Sequence, residues 1–208
     1  MTTSLVNPER DQDRVADLFE LFQKSGQIMF HQQQIIYQQL AVRLKGRGVL
    51  EAGCGTGLGT AIIDRYAGGI TGTDKGERNV KFASVTYPWI PFRVWDLNQP
   101  TKLRSSVVVC VEALEHVANT GDALRHLVEA AHEEVWLSVP NGTNKPRPPK
   151  NPYHVCEYTP REMLDMIRTI GAFEVNVLHW NTFEPEDLGT LVDPLVYRIR
   201  KYHGNAAR

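Results

Sequence analysis

Four acidic residues close short apolar runs: Glu51 after Val49-Leu50, Asp74 after Ile70-Thr71-Gly72-Thr73, Asp96 after Phe92-Arg93-Val94-Trp95, and Glu112 after Ser106-Val107-Val108-Val109-Cys110-Val111. Between the first two lie Gly53, Gly55 and Gly57 at alternate positions. Glycines in such a turn let the backbone take positive φ and let a ligand approach the main chain without meeting a Cβ. The helical spacing that resumes at Thr60-Ala61-Ile62-Ile63 puts unpaired amide N–H groups at the end of the turn, ready for an anionic or electron-rich part of a ligand. Asp74 follows the glycines by about 20 residues, the spacing at which a carboxylate hydrogen-bonds a ribose diol in nucleotide-binding α/β folds. A second cluster, Glu112-Ala113-Leu114-Glu115-His116, supplies two carboxylates and an imidazole, groups that can take a proton from a reacting hydroxyl.

These residues need strands that end side by side. Short apolar, β-branched runs alternate with segments of helical spacing from Val49 to Ile170, which predicts one doubly wound α/β sheet of Rossmann-like form. The run at 106–111 reads as a strand buried on both faces. A helix is expected from about Thr120 to Ala131, a fifth strand over Val135–Val139, and a helix from Thr159-Pro160-Arg161-Glu162 to about Ile170, opened by a cap, a proline and a glutamate. Ahead of the sheet, Val15, Leu18, Phe19, Leu21 and Phe22 predict a helix over 8–23, and a second helical pattern runs from Ile28 to Leu44. Gln32-Gln33-Gln34 is either the solvated face of that helix or a ligand contact. Phe30, His31 and Tyr37 are further contact candidates. Prolines recur through 140–153, which makes that stretch a loop. Following the fifth strand, it is either a lid or acceptor-binding loop at the carboxyl edge of the sheet or a surface insertion. The expected organisation is a single domain over 1–208, with a helical cap over 1–45 and a core over 46–200.

Composition narrows the functional classes. Twenty-three basic and 24 acidic residues give a formal charge of −1, so nothing global points to nucleic acid or an anionic membrane. No apolar run is long enough to span a bilayer, and Met1-Thr2-Thr3-Ser4 lacks the basic and apolar blocks of a signal peptide. A cytoplasmic location is expected. Cys54, Cys110 and Cys156 have neither the even number nor the C-x-x-C spacing of a disulfide framework or zinc site, and are read as reduced thiols.

Glu51-Ala52-Gly53-Cys54-Gly55-Thr56-Gly57 resembles motif I of the class I S-adenosylmethionine (SAM) dependent methyltransferases, and the resemblance extends through Asp74, Asp96 and Glu112 to Pro140 and Asn141. It implies seven strands with the last antiparallel, Phe173–Trp180 and Leu195–Arg200 forming a closing hairpin. It also implies a SAM site built from Glu51, Gly53, Gly55, Gly57, Asp74, Lys75, Asp96, Leu97 and Glu112. In this reading Glu51 meets the ammonium of the amino-acid tail and Asp74 the two ribose hydroxyls. Asp96 meets the adenine amine, with the Leu97 amide beside it.

Glu112-Ala113-Leu114-Glu115-His116 resembles the E-x-L-E-H segment of ubiquinone-biosynthesis-type O-methyltransferases and of small-RNA 2′-O-methyltransferases. His116 and Glu115 are therefore the catalytic candidates for moving a methyl group to oxygen or nitrogen of a small or medium acceptor. In some relatives this segment holds a divalent metal. Glu112, Glu115, His116 and His154 could form such a site, though a metal-free site is the expectation. A metal-dependent RNA 2′-O-methyltransferase and a dinucleotide-dependent oxidoreductase are the alternatives. Lys145, Arg147 and Lys150 in the proline loop offer charge for an anionic acceptor, or are simply solvated. His126, His132, His179 and His203 lie away from the strand ends and are read as structural or surface residues.

Overall fold

The computed structural model describes residues 31–202; the helix expected over 8–23, Phe30 and His203 lie outside the described residues. The described chain forms a seven-stranded sheet of β1 (Val49–Ala52), β2 (Ile70–Asp74), β3 (Phe92–Val94), β4 (Ser105–Val111), β5 (Ala131–Val139), β6 (Phe173–His179) and β7 (Leu195–Lys201). The spatial order is β3-β2-β1-β4-β5-β7-β6. The first five strands pair in parallel, and β7 runs antiparallel between β5 and β6. The Rossmann-like sheet and its closing antiparallel hairpin are both present. Five helices cover it: α1 (His31–Arg43), α2 (Leu58–Asp64), α3 (Glu77–Thr86), α4 (Thr120–Ala130) and α5 (Pro160–Ile170).

The valine run of β4 shows why two helical layers are needed. Side chains alternate across a strand, so Val107, Val109 and Val111 face one side and Val108 and Cys110 the other. The first set packs with Ile36 and Leu40 of α1 and Ile63 of α2. The second packs with Leu124 and Leu127 of α4 and with Met163 and Ile167 of α5. All five β4 residues are buried, as a continuous apolar run in a parallel sheet requires. α5 starts where its sequence says: Thr159 and Glu162 cap each other and Pro160 takes the first turn.

The largest boundary difference from expectation is at β5. β5 begins at Ala131, directly after α4, rather than at Val135. The charged stretch His132-Glu133-Glu134 hides the strand in the sequence, yet Glu134 is only 2 % exposed. Its carboxylate is balanced by Arg47 and Arg198 and accepts from the Trp136 indole N–H. A buried charge is tolerable when paired and hydrogen-bonded in this way, and the surrounding cations hold its pKa below the ordinary range despite burial.

Strand order reverses between β1 and β4, which opens a crevice at their carboxyl ends, where open α/β sheets bind ligands. No helix among the described residues is long and apolar enough to cross a membrane.

Candidate active site

A cavity of about 270 Å³ occupies that crevice. Its wall contains Gly53, Gly55, Asp74, Lys75, Asp96, Leu97, Glu112 and His116, so the structure brings eight of the eleven expected catalytic and cofactor residues to one space. Gly57, Glu51 and Glu115 stand behind the wall.

The glycine turn is tight. Gly53, Gly55 and Gly57 all have positive φ, at 74°, 53° and 83°. A Cβ on Gly53 would sit 2.4 Å from the Ala113 Cβ, so the segment after β4 leaves no room there for any side chain. A Cβ on Gly57 would meet Phe92 at 2.8 Å and Ala83 at 2.9 Å, closing the turn against β3 and α3. The turn is a backbone cradle between two strand ends, as close approach of a ligand to the main chain demands.

Asp74 ties this cradle to β2. Its Oδ2 accepts from the Gly55 N–H at 2.9 Å, and its Oδ1 accepts from the Gly76 N–H at 2.8 Å and the Asn79 amide at 3.1 Å. A carboxylate has about four acceptor positions. Three are taken by the protein, and the remaining capacity lies on Oδ2, in the cavity wall. Asp96 turns its Oδ1 to the backbone and side-chain N–H groups of Asn98, both at 2.9 Å. Beside it, Leu97 is held by a 2.8 Å bond between its carbonyl and His126 Nδ1.

Glu51 is fully buried. The Tyr37 hydroxyl donates to its Oε1 at 2.6 Å and the Thr60 hydroxyl donates to its Oε2. Burial raises its pKa to about 7, against the lowering effect of the two hydroxyl donors. The expected contact with an ammonium group finds this carboxylate already engaged below the turn.

At the other end of the cavity, Glu112 has φ of 49° and accepts from Ser138 Oγ at 2.5 Å. Its pKa is raised to about 7, chiefly by burial, with Asp193 and Glu157 adding and Ser138 and Lys145 opposing. Leu114–His116 form one short 3₁₀ turn. Glu115 is 3 % exposed, and its Oε2 has no hydrogen-bond partner among the described residues. Burial and then the neighbouring Glu112 charge push its pKa well up. His116 Nδ1 lies 2.8 Å from the Tyr153 carbonyl. A carbonyl only accepts, so Nδ1 carries the proton and the neutral ring presents Nε2 as its basic atom. That atom is 3.8 Å from Glu115 Oε1.

The proline loop is fastened behind this corner. The Val155 N–H donates to the Glu115 carbonyl at 2.7 Å and the Gly142 N–H to the Tyr158 carbonyl at 2.9 Å. His154 meets Glu157 through Nδ1 at 2.6 Å, and its ring stands edge-on to His116 with centroids 5.0 Å apart. Ligand atoms of Glu115, His116 and His154 come within 4.8 Å of one another. Glu112, the fourth metal candidate from the sequence, falls outside this group because its carboxylate is turned to Ser138. Lys145 is held by Asp193 at 2.6 Å and Glu157 at 3.0 Å, and Arg147 by Glu162. Two of the three cations that suggested an anionic acceptor, Lys145 and Arg147, are thus tied to carboxylates of the protein itself. Among the described residues that line the cavity, none comes from 140–158.

Several wall residues carried little sequence signal. Tyr37, Gln33 and Gln34 line the cavity from α1, while Gln32 donates to the Asp193 carbonyl. Asn79, Trp95, Asn98 and Val117 are also in the wall. Asn79 could have been found from its place on the helix after Asp74, the others only from the fold. His31 and His132 are exposed, while His179 Nδ1 accepts from the Asn181 N–H.

Residues 50–138 match the family model described as a methyltransferase domain. A Mycolicibacterium smegmatis protein named a probable S-adenosylmethionine-dependent methyltransferase is 33 % identical over 153 residues, covering 70 % of this chain and 59 % of that protein. A ubiquinone biosynthesis O-methyltransferase of Bordetella avium is 29 % identical over 109 residues, covering 48 % of this chain and 44 % of that one. The chain therefore matches about half the length of these relatives. Among solved structures, a TehB-like SAM-dependent methyltransferase from Corynebacterium glutamicum shares the fold, with a TM-score of 0.71 at 17 % identity over 94 % of this chain and 100 % of that one. Residues 50–138 thus resemble a methyltransferase domain, the relatives that match the chain carry SAM-dependent methyltransferase names, and the fold is that of solved SAM-dependent methyltransferases.

Proposed function

We propose that the protein moves a methyl group from SAM to oxygen or nitrogen of a small or medium acceptor. One observation carries the reading: the glycine cradle with Asp74 and Asp96, and the Glu112–His116 corner, wall a single cavity. The residues suit the cofactor. The cradle has no room for side chains, Asp74 keeps acceptor capacity for a ribose hydroxyl, and Asp96 and Leu97 stand where an adenine edge would lie. SAM, when bound, supplies an electrophilic methyl carbon on a sulfonium. The protein's part is to hold the two reactants aligned, which accounts for much of the acceleration available to such a transfer. An O–H or N–H acceptor must also release a proton, and His116 Nε2 is the basic atom placed at the wall to take it. Glu115 Oε1 lies 3.8 Å from that atom.

The similarity runs to methyltransferases, against the dinucleotide-oxidoreductase alternative. The paired state of Lys145 and Arg147 supports a small acceptor over an RNA backbone, which calls for an open basic groove.

A second reading rests on a separate observation. Among the described residues Glu115 Oε2 is buried without a partner, and His116 and His154 each direct Nδ1 to an acceptor so that Nε2 is the ligand atom, the usual arrangement of metal-binding histidines. Glu115, His116 and His154 would hold a divalent cation, which would act as a Lewis acid toward an acceptor oxygen.

Calorimetry with SAM, its demethylated product and NAD tests the assignment. SAM and product are expected to bind and NAD not to; tight NAD binding with no SAM binding overturns it. A methyl-transfer screen over small phenols, alcohols and amines and over RNA then identifies the acceptor class.

A further inference from the structure

The first motif-I carboxylate does not reach the cavity, although a helix outside the sheet does. Tyr37, on α1, touches both. Its ring is part of the cavity wall, and its hydroxyl donates to Glu51 Oε1 at 2.6 Å in a fully buried contact. The other Glu51 oxygen accepts from Thr60 at the start of α2, and the Glu51 carbonyl accepts from Thr73 of β2 at 2.7 Å. Glu51 therefore knots α1, α2, β1 and β2 directly beneath the glycine turn. The packing is equally specific. A Cβ on Gly59, in the first turn of α2, would lie 2.1 Å from the Tyr37 ring, so the ring fills the space that the absent side chain leaves.

Gln33 and Gln34 precede Tyr37 by four and three residues. That spacing sets them on the same face of α1 as Tyr37, and both line the cavity. α1 thus presents two amides and a phenol to the ligand, uncharged groups that can each donate and accept.

Resting on the reading of this cavity as the SAM site, we propose that α1 is an integral wall of it and that Tyr37 is its positioning residue. Tyr37 fixes the glycine turn and the start of α2 through Glu51 and Gly59, while Gln33 and Gln34 contact the cofactor. The role of Glu51 is then to anchor Tyr37 and Thr60, rather than to meet the ligand. Removing the Tyr37 hydroxyl leaves the ring in place over Gly59 but unties Glu51, so the turn loses its register with α1. The cost falls on cofactor affinity.

The test compares SAM binding by calorimetry in the full-length wild-type protein, Tyr37→Phe and the Gln33→Ala/Gln34→Ala double variant, with the thermal midpoint of each ligand-free protein recorded alongside. Tyr37→Phe is expected to weaken SAM at least about fivefold, the lower end of typical coupling between linked sites. Where an acceptor is known, KM for SAM rises and kcat and the acceptor KM hold. A lowered thermal midpoint with unchanged SAM affinity would mean a merely structural tyrosine and overturn the positioning role. If Tyr37→Phe fails to fold, the double variant decides, since Gln33 and Gln34 are half-exposed and carry little of the core. Unchanged SAM affinity there overturns the wall; a loss of affinity supports it. A wild-type protein that binds no SAM overturns the methyltransferase reading and this inference together, whereas wild-type binding with unaffected variants overturns the inference alone.

Discussion

Replacing Asp74 by alanine removes three protein hydrogen bonds and one prospective ligand bond, and the two losses are separable. Within the protein, the Gly55 and Gly76 N–H groups and the Asn79 amide lose their acceptor. The Gly55 N–H is at the cavity and can turn to water, while Asn79 is only 3 % exposed and cannot readily do so. A hydrogen bond to a charged group contributes about 1.5–3 kcal/mol, so the buried share of the loss is expected to lower stability by roughly that amount. The ribose contact is worth about the same again, which at 1.4 kcal/mol per decade is about a 10- to 150-fold loss of SAM affinity. Asp74→Asn separates the terms. It keeps an oxygen at Oδ1 for both Gly76 and Asn79 but places an NH₂ at Oδ2, facing the Gly55 N–H and the cavity, so SAM binding should fall nearly as far while more of the stability is retained. Calorimetry at 25 °C gives the affinities and urea unfolding the stabilities. An affinity change below about threefold in Asp74→Ala, with the protein folded, would refute the assignment of Asp74 to the ribose and leave it as a brace of the turn.

Gly53→Ala should abolish measurable SAM binding, because the new Cβ meets Ala113 at 2.4 Å and the backbone sits at φ of 74°; adding Ala113→Gly should recover part of the stability, while the positive-φ strain of about 1–2 kcal/mol remains. Stability should fall as pH rises from about 4.5 to 7, since Glu51 and Glu112 both have folded-state pKa values raised from 4.5 to about 7: the folded state binds more protons than the unfolded across that window, and ionisation on the alkaline side removes the advantage. Urea midpoints measured across pH 5–7.5 should show this slope, and Glu51→Gln should flatten it; an unchanged slope refutes the share given to Glu51. Methyl transfer is expected to persist in EDTA and to collapse in His116→Ala with SAM affinity intact. Loss in EDTA, recovery with Mg²⁺, Mn²⁺ or Co²⁺, and collapse in His154→Ala would instead establish the metal-bound form.

The glycine turn was legible because the demands of a tight turn fall on the backbone. A turn that must take positive φ and admit a ligand requires glycine, and Gly53, Gly55 and Gly57 appear together within one strand–helix junction. Parallel strands also bring Glu51, Asp74, Asp96 and Glu112 into register simply by ending, so a sequence that marks strand ends marks the site. What stayed hidden was the direction of each carboxylate. Glu51 ends its strand as expected but faces a tyrosine and a threonine, and Glu134 looked like solvent-facing charge because the arginines that bury it, Arg47 and Arg198, are remote in sequence.

The acceptor half is illegible for the same reason carried further. Ser138 fixes Glu112 from β5, Tyr153 fixes the tautomer of His116 from the proline loop, and Glu157 does so for His154. None of these partners belongs to a local motif. Their effect is nonetheless specific: with Nδ1 of both imidazoles turned to acceptors, ligand atoms of His116, His154 and Glu115 lie within 4.8 Å of one another, beside a Glu115 carboxylate whose Oε2 lacks a donor among the described residues. A neutral Glu115, favoured by the upward push on its pKa, could share a proton with His116 and serve the base reading; an ionised Glu115 in so buried a place would need a cation beside it. The protonation state of Glu115 in the folded protein, read from its carboxyl stretch by difference infrared spectroscopy against Glu115→Gln, therefore decides between the base and the metal. A protonated carboxyl at neutral pH in metal-free protein that is unchanged by added Mn²⁺ keeps His116 as the base, and its loss on adding Mn²⁺ assigns Glu115 to the cation.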